Sequence, residues 1–276
     1  MVQLNATYLD TSNGNWSGSL LCSYAFLRHS WQTEWVGLPK LVNDCVDNLN
    51  LMTVKGDPQV QNLVEAALSI AHQIEKEKGC GTENPEPSYH NRLHFAESLT
   101  TMTLQCILEV RHGAKLDLTW QATLLLMALS HDFRHSGRIN RHVSEIESNS
   151  VQFLIPILMS KNVDQIWIDR ISDVILRTDF SLVKENHSRV AGRAFQWDLE
   201  WATVLLNEAD VMASASHIFG PLNSTALSLE WKAIDFPPFA TVATEMGRRQ
   251  FLSTLEFSSY SGQLLSSGIL EPIRKS

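Results

Sequence analysis

Four metal-binding side chains that lie far apart in the sequence constrain this chain more than any other feature. They are His94, the adjacent pair His131 and Asp132, and Asp210. Each lies in a stretch with helical hydrophobic spacing, so several helices must pack together if the four side chains are to meet. Mixed imidazole and carboxylate ligands suit Zn²⁺, Mn²⁺ or Fe²⁺, and carboxylates with water suit Mg²⁺ or Mn²⁺. The pattern therefore predicts a divalent-metal site between helices.

The hydrophobic pattern predicts helices along most of the chain. Asp57 and Pro58 form a typical helix start, followed by apolar residues at helical spacing. Residues 124–129 are all apolar, which predicts a central helix buried on all sides. No alternating run is long enough to predict a strand, so we expect an all-α, compact multi-helix domain. After a first helix that ends at Gly79 and Gly81 and a loop at 84–87, further helices are predicted at 88–112, 117–131, 145–159, 163–178, 197–217 and 238–257.

The first 55 residues are the least regular part of the sequence. Trp16, Trp31 and Trp35 stand among glycine, serine and asparagine, and large aromatic side chains favour burial. We expect residues 1–55 to form an N-terminal extension, helical and packed on the core, although a partner-binding arm stays open. Residues 56–276 are expected to form the main domain, without an internal repeat or interdomain linker.

The composition and the net charge argue against some classes of binding partner. The net charge of −8 argues against binding a nucleic-acid polymer. No apolar run reaches the roughly 20 residues that cross a bilayer, so no membrane partner is expected. The first residues show no secretion signal, and the four cysteines lack metal-finger spacing. These observations together favour a cytoplasmic protein.

Each metal-binding residue also has a simpler explanation when it is taken alone. His90 and His94 share one helix face and would suit a polar surface. His131 and Asp132 would suit a helix end that reaches solvent. Asp210 lies in a largely apolar helix, where a lone charge needs a partner. The coincidence of all of them in one chain favours the metal site.

The surrounding residues add a family resemblance. Four segments match in order: YHNRLH (89–94), HDFRHSGRIN (131–140), TD (178–179) and AD (209–210). Together they resemble the catalytic domain of class I 3′,5′-cyclic nucleotide phosphodiesterases, which are HD-domain metal phosphohydrolases. The resemblance covers about residues 60 to 257 and implies an enzyme with two divalent metal ions (Zn²⁺, Mn²⁺, Mg²⁺ or Fe²⁺).

The resemblance also implies the roles of the site residues. His94, His131 and Asp210 would bind metal, with Asp132 as the bridge between the two ions. His90 would be the general acid, and His135 would be a catalytic partner that orients the ligands. A metal-bridged hydroxide would open cyclic AMP or cyclic GMP to the 5′-monophosphate.

Substrate contacts are less sharply implied. Tyr89 and Asn91 flank the general acid. The family has an element in which a glutamine reads the purine and a phenylalanine stacks on it; Phe251 would be the stacking residue, and Gln250 is adjacent to it and not a helical turn away. Arg248 stands at the position where that family carries glutamine, with exposure on a solvated helix face as its alternative. The family's supporting glutamate could be either of two residues, Glu145 or Glu147.

Two other functions stay open at this point. The altered purine-reading element is compatible with an HD-type phosphohydrolase that acts on another nucleotide or phosphodiester. A non-catalytic module that binds cyclic nucleotide is the second alternative. In each case the partner is a small molecule, and a homodimer is compatible with the sequence.

Overall fold

The computed structural model describes residues 14–52, 57–78 and 86–270, and within them the fold is all-α, as predicted. The only β-pairing in this part of the chain is an isolated bridge between Ser216 and Leu270. A short 3-10 turn, Phe180–Leu182, precedes the eighth helix. In chain order the α-helices are α1 (Trp16–Gln32), α2 (Leu38–Asn48), α3 (Pro58–Lys78), α4 (Arg92–Arg111), α5 (Leu118–Ser130), α6 (Glu145–Ser160), α7 (Gln165–Leu176), α8 (Val183–Val190), α9 (Leu199–Ala215), α10 (Gly220–Ala233), α11 (Phe239–Val242), α12 (Glu245–Thr254) and α13 (Tyr260–Ile269).

Helices α4, α5 and α9 form the centre of the molecule. α4 packs against both α5 and α9, and α5 also packs against α3. Every residue of α5 from Trp120 to Ser130 is buried, which confirms the prediction of a central helix. The metal-binding residues predicted from sequence all come from these three helices or the residues directly after them.

Helix α4 is buried on nearly all sides although it carries many polar residues. The hydroxyl groups of Thr100, Thr101 and Thr103 each donate a hydrogen bond to the carbonyl four residues earlier. Because these bonds satisfy the hydroxyls inside the helix, their burial leaves no unpaired donor there. The helix can therefore pass through the core with His94 in its first turn.

The two N-terminal helices share the core of the main domain. α1 packs on α13 and α4, and α2 packs on α3 and α4. Tyr24 of α1 is fully buried, with its hydroxyl 2.5 Å from the Thr101 hydroxyl. Leu38 and Leu41 of α2 belong to the same apolar cluster as α3, α4 and α5.

Two predicted helix boundaries are corrected by side-chain contacts. The second predicted helix begins at Arg92 and not at residue 88, because the Asn91 side chain caps it by accepting from two backbone amides. The single helix predicted at 238–257 is two helices, because Thr244 caps α12. A Cβ atom on Gly247 would lie 2.1 Å from the carbonyl oxygen of Thr241, so only glycine allows α12 to pack this closely on α11. The predicted stops at Gly79 and Gly81 and part of the following loop lie outside the described residues.

Helices α8, α10 and α13 were not among those expected from sequence. α10 packs against α9 and α11, and it supplies Glu230, Asn223 and other residues to the cavity region described below. Among the described helices, none combines the length and the apolar character that crossing a bilayer requires.

Candidate metal centre and active-site cavity

The four residues that the sequence singled out meet at one point. The Nε2 atoms of His94 and His131 lie 3.3 Å apart. Oδ2 of Asp132 lies 3.3 Å from His94 Nε2 and 3.2 Å from His131 Nε2. Oδ1 of Asp210 lies 3.1 and 3.5 Å from the same two nitrogens. Two imidazoles and two carboxylates thus converge in a group that can hold a metal ion.

Helix ends and local hydrogen bonds set the direction of these side chains. His94 lies in the first turn of α4, and His131 is the C-cap of α5. His131 Nδ1 lies 3.1 Å from the Ala128 carbonyl oxygen, so Nδ1 carries the proton and Nε2 faces the cluster. A metal-ligating histidine is commonly fixed in this way by a backbone carbonyl.

The electrostatics of the cluster fit a cation. Burial alone would lower the pKa of His94, but its hydrogen bonds to Asp132 and Asp210 raise that pKa to about 9. Burial raises the pKa of Asp132, yet the charge on His131 outweighs it and holds the pKa well below its usual range. The carboxylates are therefore ionised at neutral pH and attract positive charge to this point. Two carboxylates with two imidazole nitrogens are a donor set that suits a borderline or hard divalent ion.

Metal binding is expected to release protons. In the metal-free protein His94 has a pKa of about 9, so it is protonated at pH 7, whereas a ligating imidazole must be neutral. Apparent Mn²⁺ affinity should rise with pH up to about 9, with at least about one proton released per ion at pH 7. Calorimetric titration in two buffers of different ionisation enthalpy measures this number. Identical heats in both buffers, after subtracting Mn²⁺ dilution, would contradict the prediction.

A second cluster lies beside the first and contains the predicted general acid. The Nδ1 atom of His90 lies 2.5 Å from Oε1 of Glu230. The other carboxylate oxygen, Oε2, accepts hydrogen bonds from the backbone amides of Tyr89 and His90 at 2.8 and 3.1 Å. His90 Nε2 then faces the metal centre, 4.0 Å from Oδ2 of Asp132. Glu230 therefore fixes both the loop and the ring so that the free nitrogen points at the centre.

His135 supports His90 from the other side. The two rings stack with centroids 3.7 Å apart. His135 Nδ1 accepts the Gly137 amide at 3.0 Å, which leaves the proton on Nε2. Burial, followed by the charge of His90, lowers the pKa of His135 to about 3, so the ring is neutral at physiological pH. Gly137 has φ +71°, and a Cβ there would lie 3.1 Å from Glu230, so glycine lets this loop approach α10.

Both clusters open into one cavity of about 550 Å³. This is within the range of about 300–1,000 Å³ that small-molecule sites occupy. Its walls combine polar residues from the two clusters, namely His90, His131, Asp132, His135 and Asp210, with apolar side chains from several helices and loops. The apolar or aromatic side chains that line it include Ile139, Ile146, Phe180, Val211, Leu227, Trp231, Pro238, Val242 and Phe251.

Two further carboxylates, those of Glu147 and Asp179, line the cavity. Asn140 donates hydrogen bonds of 2.8 Å to Glu147 and 2.9 Å to Asp179 and thereby joins two carboxylates that line the cavity. Asp179 also accepts the Ser144 amide at 2.7 Å. Glu145 is instead paired with the exposed Arg141 outside the cavity. Of the two glutamates left open by the sequence, Glu147 lines the cavity and Glu145 does not.

The expected substrate contacts divide into two groups. Tyr89, Gln250 and Phe251 line the cavity. Asn91 does not, because its side chain caps α4. Arg248 is buried and turned away from the cavity, with Nη1 3.1 Å from the Ser224 hydroxyl and 3.5 Å from the Ser214 carbonyl. The expectation that Asn91 and Arg248 contact substrate is corrected accordingly, and so is the alternative of a solvated face for Arg248.

Several residues of the site were not singled out in the sequence. Glu230, Asn223 and Ser214 come from α9 and α10, which surround the cavity. A lone glutamate between Leu229 and Trp231 carries no motif or spacing that marks it. Its near-complete burial and its bond to His90 are tertiary facts that no local pattern signals.

The description of this site rests on the residues of this chain alone. Comparison of the chain with protein-family models and with curated proteins found no match. What the described structure establishes is an all-α fold with a buried histidine and aspartate group that can hold a metal ion, next to a histidine held by a glutamate.

Proposed function

We propose that this chain is a metal-dependent phosphodiesterase that opens 3′,5′-cyclic nucleotides to 5′-monophosphates. One observation carries the proposal most directly. His90 is held by Glu230 so that its Nε2 lies 4.0 Å from Asp132, at the edge of a four-residue metal-binding cluster. A proton donor beside a metal centre is what cleavage of a phosphodiester with a poor leaving group requires.

His94, His131, Asp132 and Asp210 would hold the first metal ion, and Asp132 has a second carboxylate oxygen with which to reach a second ion. Bound metal would polarise the phosphoryl group and lower the pKa of coordinated water. The chain itself contributes the directions of its ligands, because the Ala128 carbonyl fixes the His131 ring.

His90 would act as the general acid that protonates the departing O3′ oxygen. Its Nδ1 atom is held by Glu230, and this contact aims Nε2 at the centre. The neutral ring of His135 stacks on His90 and adds no competing charge. The same glutamate also accepts a hydrogen bond from the Tyr89 amide, so one carboxylate holds both the imidazole and the backbone beside it.

The cavity lining includes side chains that suit a nucleotide. Phe251 offers an aromatic face and Gln250 a hydrogen-bonding amide in the same wall. Arg138 also lines the cavity. Arg134 and Arg141 in the same loop pair with Glu77 and Glu145, whereas Arg138 has no ion pair among the described residues. A cation placed in this way supports binding of an anionic phosphoester.

A second candidate is hydrolysis of another nucleotide or phosphodiester by the same site. The observation that favours it is Arg248, which occupies the purine-reading position of the similar family but is buried against Ser214 and Ser224. In this arrangement Arg248 is buried and is not among the residues that line the cavity. A binding module without catalysis is the remaining alternative.

A substrate panel tests the proposal. Purified protein is assayed on cyclic AMP, cyclic GMP and bis(p-nitrophenyl) phosphate with Mn²⁺ or Mg²⁺, against a chelated control. We expect metal-dependent release of a 5′-monophosphate. Cleavage of the chromogenic ester alone would move the function to another phosphodiester. Absence of any turnover by protein that retains metal would favour the binding module and contradict an enzyme.

A further inference from the structure

The N-terminal helix α1 places a charged side chain behind the metal centre. Arg28 Nη2 lies 2.6 Å from Oε1 of Glu97 on α4. Both side chains are largely withdrawn from solvent, with 14% and 2% of their surface exposed. Glu97 follows His94 by three residues and therefore lies near it on one helix face. The ion pair thus connects the first helix to the helix that carries a metal ligand.

The same guanidinium nitrogen also begins a chain of hydrogen bonds that ends at the cavity. Arg28 Nη2 donates to Oδ1 of Asn223 at 2.6 Å. The Asn223 Nδ2 donates to the Ser214 hydroxyl at 3.1 Å, and that hydroxyl lies 2.9 Å from the Tyr89 hydroxyl. Asn223, Ser214 and Tyr89 all line the cavity. A residue of the N-terminal segment is therefore linked, through α10 and α9, to the active-site wall.

Tyr89 is the last residue in this series of hydrogen bonds, and its ring lies beside the proposed catalytic groups. Its ring centroid lies 4.7 Å from that of His90 and 4.9 Å from that of His94. Its hydroxyl lies 2.9 Å from the Ser214 hydroxyl, which in turn accepts from Asn223. The position of this ring depends on the serine and asparagine behind it.

The Arg28–Glu97 ion pair is better explained by the side chains that it holds in position than by a contribution to the free energy of unfolding. Replacing a buried pair with neutral groups of similar size is often neutral for stability, whereas removing one partner is costly. Arg28 Nη2 contacts both Glu97 and Asn223, and Asn223 Nδ2 also donates to Oε2 of Glu97 at 3.5 Å, so the three side chains form one cluster between α1, α4 and α10.

We propose that Arg28 is a positioning residue of the active site, which holds the wall formed by Asn223, Ser214 and Tyr89 in place against His90. Helix α1, which carries Arg28, thereby contributes to the structure of the active site. The catalytic readout of this proposal rests on the proposed phosphodiesterase function, but its structural readout does not.

The test compares four variants with the full-length wild-type chain. Arg28→Met removes the guanidinium and leaves Glu97 unpaired, so it is expected to lower Tm. Arg28→Met combined with Glu97→Gln removes both charges and is expected to restore Tm. Arg28→Lys keeps a cation that can serve both partners. Tyr24→Phe is the matched control, since it alters another α1–α4 contact that does not lead to the cavity.

Hydrogen–deuterium exchange supplies the readout that is independent of activity. The amides of Tyr89 and His90 donate to Glu230, so their exchange reports on this wall. We expect exchange at these amides to be about tenfold faster in the double variant, near wild-type in Arg28→Lys, and unchanged in Tyr24→Phe. Mn²⁺ content should stay constant in all four.

Turnover supplies the second readout. With cyclic AMP or bis(p-nitrophenyl) phosphate and Mn²⁺, kcat of the double variant should fall about tenfold with little change in KM, despite its restored Tm. Recovery of both kcat and the exchange rates together with Tm would overturn the proposal, because Arg28 would then act on stability alone. Equal effects in Tyr24→Phe would overturn it as well. If the wild-type protein cleaves neither substrate, the proposed function fails and the exchange experiment still decides this inference.

Discussion

Asp210→Ala is expected to lose metal binding and, with it, metal-dependent turnover. Asp210 contributes a carboxylate oxygen that lies within 3.5 Å of both histidine nitrogens of the cluster. Loss of a group that merely supports a metal ligand lowers metal affinity by about 10–100-fold, so loss of a direct ligand should exceed about 100-fold. Asp132→Ala should behave in the same way, because its Oδ2 atom contacts the same pair of nitrogens.

The measurement is metal content after dialysis, followed by Mn²⁺ titration and the substrate assay. Asp169→Ala is the matched control, because this carboxylate is exposed on α7 and, within the described part of the chain, accepts a hydrogen bond from Gln165 and lies outside the cavity. Asp210→Asn keeps the shape of the side chain and separates loss of charge from loss of packing. Retention of normal metal content and activity by Asp210→Ala would disprove the assignment of the metal centre.

His90→Ala is expected to keep metal and lose most turnover. The imidazole lies 4.0 Å from Asp132 at its nearest approach and is held by Glu230, so it belongs to the second cluster and not to the metal-binding one. General acid catalysis contributes about 10²–10⁴-fold, and a loss of this size is expected in kcat with Mn²⁺ affinity unchanged.

Glu230→Gln serves as the partner variant for His90. It removes the charge that holds the ring but leaves the ring present, so kcat should fall by less than in His90→Ala. His142→Ala is the control for loss of an imidazole, since His142 is exposed and does not line the cavity. A His90→Ala protein with full turnover would contradict the general acid role, and one without metal would place His90 in the metal centre.

Much of the fold could be predicted from local patterns in the sequence. The continuous apolar run of α5 predicted its central position, because a helix without a polar face can only be buried. The cap at Asn91 was not recognised, and the break before Thr244 was missed, because a helical pattern continues through both places. Helix boundaries of this kind depend on which side chain accepts hydrogen bonds from the first backbone amides of the helix.

The candidate metal ligands could also be identified from sequence, because histidine and aspartate are costly to leave unpaired in apolar helices. That cost predicts that His131 and Asp210 have a partner, but not which partner. Only the tertiary structure brings Glu230 to His90 and Asn140 between Glu147 and Asp179. These contacts join helices remote in sequence, and remote contacts leave no periodicity in either helix.

The sequence by itself determined an all-α chain with four metal-type ligands and a histidine-rich loop, since these follow from residue type and spacing. Tertiary structure alone decided that Arg248 turns inward and that Arg28 reaches from α1 to the cavity wall. The physical reason is the same for both. The direction of a long cationic side chain is set by whichever buried acceptors surround it after the helices have packed, and those acceptors come from other helices.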